Sequence, residues 1–66
     1  MMPLIQINMM EGRSAEKKER LIYEVTNTVA TVLEAPKENV RVLIQEMPPS
    51  HWGIAGASVQ KRKENK

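Results

Sequence analysis

Val40-Arg41-Val42-Leu43-Ile44-Gln45-Glu46-Met47 is a run rich in β-branched residues, closed by Pro48-Pro49. Proline has no N–H to give a sheet ladder, so the run reads as a strand that stops at Met47. What precedes it decides how that strand is used. From Ala15 to about Glu34, the residues Leu21, Ile22, Val25, Val29, Val32 and Leu33 recur at helical spacing, with Lys17, Lys18, Glu24, Asn27 and Thr31 opposite them. Ser14 suits the N-cap, Glu16 places negative charge at the positive end of the helix dipole and is spaced to pair with Arg20, and Pro36 ends the helix. Upstream of the Glu11-Gly12-Arg13 break, Pro3 to Met10 alternates Ile5, Ile7 and Met9 on one face with Leu4, Gln6, Asn8 and Met10 on the other. Strand, long helix, strand is a β-α-β unit, with the two strands parallel and a right-handed crossover. The expected class is α/β, or α+β in some schemes.

Working outward from this unit, Gly53-Ile54-Ala55-Gly56-Ala57-Ser58-Val59 reads as a turn with a short third strand or hairpin. Residues 1–60 then form one domain, and Lys61-Arg62-Lys63-Glu64-Asn65-Lys66 a basic tail without structure of its own. The helix stripe can cover only one sheet face, that of Ile5, Ile7, Val40, Val42 and Ile44. Leu4, Met10, Leu43 and Met47 remain on the other, although parallel sheets are usually buried on both sides. A 66-residue chain that is 41% hydrophobic is globular in composition, yet it has no cysteine to staple it. Burial against further copies of the same chain is the remaining source of stability, so the sequence predicts a homo-oligomer.

The net charge of +2 is concentrated in the tail, which carries four positive charges and one negative, leaving the rest at −1. One Trp, one Tyr and no Phe give no aromatic platform beside a basic face, which argues against nucleic acid as a partner. No apolar run is long enough to span a membrane, and the amino terminus lacks the charge and apolar stretch of a signal peptide. A cytoplasmic protein is expected.

No phosphate loop, dinucleotide fingerprint, zinc-protease helix or nucleophile elbow occurs, and no cofactor or metal is expected. His51 has no second ligand beside it and reads as a solvent-facing loop residue. Two arginines stand where folding does not need them. Arg13 follows the first strand, and Arg41 lies among apolar neighbours in the second, where a buried charge is costly unless paired. A guanidinium offers a planar fork that matches a carboxylate, so two of them beside a cavity suit a dicarboxylate or keto acid. By pattern alone, a solvated turn residue for Arg13 and an intersubunit ion pair for Arg41 is the favoured account.

Pro3-Leu-Ile-Gln-Ile, Glu11-Gly-Arg-Ser14, Val40-Arg-Val-Leu-Ile-Gln-Glu-Met47 and His51-Trp-Gly-Ile-Ala-Gly56, in this order and spacing, resemble successive blocks of the 4-oxalocrotonate tautomerase family. The resemblance runs from Pro3 to about Ser58. It implies an isomerase that converts 2-hydroxymuconate-like 2-hydroxydienoates to 2-oxo-3-enoates, in the degradation of aromatic compounds. It implies that Pro3, as a free amino-terminal amine, is the general base. It further implies that Arg13 binds the distal carboxylate and that Arg41, from a neighbouring subunit, holds the other end. Trp52, standing where the family more often has Phe, forms part of the apolar wall, and the assembly is a hexamer arranged as a trimer of dimers. A free α-amine titrates at about 7.7–8.0, and burial beside an indole and near cations lowers that toward the working pH of a base.

One feature of this sequence bears directly on that role. Met1-Met2 precede Pro3, and with Met2 attached the proline nitrogen is a tertiary amide without a basic lone pair. A chain so blocked is a catalytically silent homologue or a small-molecule binder. A dehalogenase or hydratase of the same superfamily needs a further acid to activate water, for which Glu11 and Glu46 are the candidates.

Overall fold

Both strands and the long helix form where the sequence periodicity puts them. The computed structural model describes residues 3–64, so Met1, Met2 and the last two residues lie outside the described part. Strand β1 spans Leu4–Met10, helix α1 Ala15–Leu33 and strand β2 Arg41–Met47. Ser14 caps α1 through its hydroxyl, which accepts from the Lys17 N–H at 3.2 Å. Gly12, at φ +128°, turns the chain between β1 and α1 in a conformation that a side chain would strain. Glu34 ends α1 in the left-handed region at φ 53° and donates its N–H to the Ala30 carbonyl. Pro36 therefore follows a helix that has already stopped.

β1 and β2 are parallel, in register from Leu4 beside Arg41 to Met10 beside Met47. Neighbours on one rung share a face, so the pleat sorts the side chains into two sets. Ile5, Ile7, Val42 and Ile44 are half-buried beneath α1, and Val40, 8% exposed, is the most enclosed of the described residues. Leu21, Ile22, Val25 and Val29 of α1 cover them. The opposite face lies open, with Leu4 61% and Leu43 53% exposed and a ladder of amides running on from Gln6 beside Leu43. In that ladder the Gln6 Nε2 donates to Gln45 Oε1 at 3.3 Å and to Asn8 Oδ1 at 3.4 Å.

Four details of side-chain placement and tail structure differ from the sequence reading. Lys18, expected on the solvent side of α1, faces the sheet and forms an ion pair with Glu46 at 2.9 Å, each side chain 29% exposed. Arg20 pairs with Glu24 at 3.6 Å instead of with Glu16, an exposed pair of little consequence. Val32 and Leu33 fall on the expected stripe but run past the end of the sheet, so both are exposed. Finally, residues 61–64 of the basic tail are helical, while its last two residues lie outside the described part. After a hairpin of β3 (Gly53–Ile54) and β4 (Ala57–Ser58), the chain forms helix α2 over Val59–Glu64, capped where Ser58 Oγ accepts from the Lys61 N–H. The hairpin turn has Ala55 at φ 52° and Gly56 at φ 88°, the paired positive values that match strand twist.

Candidate active site

The residues singled out by the sequence fall into two groups at opposite ends of the parallel pair. At the end where β1 and β2 begin, Pro3 is half-buried, and its carbonyl accepts the Arg41 N–H at 2.9 Å. This bond follows from the register, which sets Leu4 beside Arg41. Arg41 is not enclosed among apolar neighbours, as its sequence context suggested. It is the first residue of β2, its side chain is exposed, and its Nη1 donates to the Glu38 carbonyl. That carbonyl belongs to the tight helical turn Lys37–Asn39, which carries the chain from α1 into β2.

At the end where the strands finish, the Glu11 N–H donates to the Met47 carbonyl at 3.0 Å, and Gly12 redirects the chain to bring Arg13 out exposed. On the β2 side, Pro48-Pro49 and a second tight turn, Pro49–His51, fold the chain back. Trp52 is half-buried there, held by its N–H to the Pro49 carbonyl and by its carbonyl to the Val59 N–H at 2.8 Å. The indole forms one wall of an open depression of about 320 Å³ shared with Asn8, Met47, His51 and Gly53. His51 is exposed, as expected of a loop histidine, but it lines this depression instead of standing apart from it.

Seven rungs of strand separate the two groups, about 20 Å at the usual rise per residue. The structure thus brings Pro3 together with the backbone of Arg41, and places Arg13 and Trp52 at the same far end. It does not bring the two groups together within one chain. Neither Arg13 nor Arg41 forms an ion pair among the described residues, so both guanidinium groups are available to an anion. Among those residues no three His, Cys, Asp or Glu side chains converge as metal ligands, and no helix is long and apolar enough to cross a membrane. Glu46, one of the two acids considered for water activation, is taken up by Lys18 on the helix side of the sheet. Asn8 and Met47 escaped notice as site residues, although strand alternation places both on the open face.

A β-α-β chain thus holds Pro3 and Arg41 at one end of its parallel pair and Arg13 and Trp52 at the other. The sequence model of the family described as "Tautomerase enzyme" matches residues 3–62, and the chain belongs to that family. It is 51% identical to a 2-hydroxymuconate tautomerase of Stutzerimonas stutzeri over 59 residues, covering 89% of this chain and 94% of the relative. Among solved structures it is similar to a 4-oxalocrotonate tautomerase isozyme from Methylibium petroleiphilum, with a TM-score of 0.92 and 33% identity, covering 97% of this chain and 100% of that one. It is also similar to a subunit of a heterohexameric 4-oxalocrotonate tautomerase from Chloroflexus aurantiacus, with a TM-score of 0.86, 40% identity, and coverage of 91% and 97%.

Proposed function

We propose that this chain is an isomerase that converts 2-hydroxymuconate, or a closely related 2-hydroxydienoate, to the 2-oxo-3-enoate, with the Pro3 amine as its general base. The 2-hydroxyl loses its proton to the proline nitrogen, the freed electron pair forms the C2 carbonyl, and the double bonds shift by one place. The same proton then returns to C5, so the reaction balances without a redox partner. The observation that carries this reading is a chain half identical to a 2-hydroxymuconate tautomerase, with Pro3 half-buried where its parallel pair begins.

The two arginines act on charge. Arg41 stabilises the oxyanion that builds up at C2, and Arg13 holds the distal carboxylate as a planar fork. Trp52 supplies the apolar wall that keeps the amine neutral. With about 20 Å between Arg41 and Arg13 in one chain, a six-carbon diacid cannot touch both of them, so different copies contribute them. The assembly is a homo-oligomer, read here as a hexamer of three dimers, in line with the heterohexameric relative. The setting that suits such a substrate is the breakdown of aromatic compounds in the cytoplasm.

The competing reading, a silent homologue or binder, applies only to a chain that keeps Met2 on Pro3. A dehalogenase or hydratase is less well supported, since the Lys18 ion pair occupies Glu46. The test is ketonisation of 2-hydroxymuconate followed by ultraviolet absorbance, with the amino terminus of the protein established by intact mass. A chain beginning at Pro3 is expected to turn over rapidly, and the same chain retaining Met2 is not. Absence of turnover by the Pro3-terminated chain would overturn the proposal.

A further inference from the structure

The depression beside Trp52 has a polar half that the assignments above leave unused. Asn8 reaches it from the third rung of the open face, and His51 reaches it from the turn after β2. Gln6 already donates to the Asn8 Oδ1, which fixes the orientation of that amide and leaves its Nδ2 hydrogens as donors. The His51 imidazole has no hydrogen-bond partner among the described residues, although its backbone N–H is fixed on the Pro48 carbonyl at 2.9 Å. Two donors without acceptors thus stand across from an indole and the side chain of Met47. Such a wall takes a flat, conjugated carbon chain on its apolar side and an oxygen-bearing end on its polar side.

From this juxtaposition, and resting on the tautomerase reading, we infer that Asn8 and His51 are specificity-determining residues that receive the distal carboxylate alongside Arg13. Their contribution is to binding. Both stand at the same end of the sheet as Arg13, the end assigned above to the distal carboxylate.

Steady-state kinetics of Asn8→Ala, His51→Ala and His51→Gln, in chains beginning at Pro3, test the inference against two substrates. These are 2-hydroxymuconate and 2-hydroxypenta-2,4-dienoate, which lacks the distal carboxylate. Each alanine variant is expected to raise KM for the diacid about tenfold, the effect of losing one hydrogen bond to a charged group, with kcat within about twofold of the parent. KM for the monoacid is expected to stay where it is, and His51→Gln, which keeps a donor, to recover part of the loss. An unchanged KM for the diacid, or an equal rise for both substrates, would overturn the inference.

A second readout separates it from the reaction itself. Trp52 is the only tryptophan, so its fluorescence reports on this wall directly. Titration with muconate, a diacid that cannot ketonise, is expected to quench it in the parent and to do so about tenfold more weakly in the alanine variants. If the parent binds muconate in this way but fails to isomerise 2-hydroxymuconate, the reaction assigned above fails and the binding wall stands. Equal quenching in the parent and the variants removes the wall whatever the reaction does.

Discussion

Arg41 carries the sharpest consequence at the residue scale. Its guanidinium meets a main-chain carbonyl, that of Glu38, which orients the group without neutralising it. The charge therefore remains available to an oxyanion, and the tether limits the entropy lost when one arrives. Arg41→Ala is expected to lower kcat about 100- to 1000-fold, as the removal of an oxyanion donor does elsewhere, while gel filtration shows an unchanged assembly. Arg41→Lys should recover only part of the rate, because a lysine lacks the fork. Unchanged turnover in the alanine variant would remove the role assigned to it. The sequence pointed to this residue, though by way of an environment it does not have. Apolar neighbours along a strand alternate between faces, and Arg41 shares its face with Leu4 and Leu43, both open in the single chain.

At the scale of the elements, legibility followed periodicity. Seven residues of β1 and nineteen of α1 are long enough for alternation or a helical stripe to stand out, and both formed as expected. The hairpin announced itself through its glycines. Helix α2 did not, because six residues with three adjacent cations resemble a solvated tail more than an element. Lys18 departs from its expected position for a related reason. A lysine is assigned to water by its charge, yet its long stem can lie along an apolar surface while its head meets Glu46. The end of α1 offers a stability test. Glu34 occupies a left-handed position at φ 53° that costs a residue with a side chain about 1 kcal/mol relative to glycine. Glu34→Gly is expected to raise Tm by several degrees in circular dichroism at matched protein concentration, and a fall would contradict the local conformation.

On the scale of the whole molecule, the single chain is unfinished. It exposes 5232 Å², against about 4,250 Å² for a compact monomer of its mass. Its radius of gyration is 15.5 Å where about 11 Å is usual for this length. The excess surface includes Leu4 and Leu43 on the open face and Val32 and Leu33 at the end of α1. These are groups that burial against another copy would stabilise by about 1.5–3 kcal/mol for each side chain. Leu43→Asp should therefore break the assembly into smaller species in sedimentation velocity, and an intact oligomer in that variant would place the interface elsewhere.

The sheet keeps Arg13 and Arg41 apart, so the proposed site is not completed by one chain. The claim that the rest depends on is that one site draws these two arginines from different copies. It is tested by preparing Arg13→Ala and Arg41→Ala chains separately, unfolding them together at equal amounts, refolding, and assaying 2-hydroxymuconate ketonisation. Random assembly should return about a quarter of the parent kcat/KM, the chance that one site receives both intact arginines, although each variant alone falls well below that. A mixture no more active than the two variants assayed apart would contradict the account.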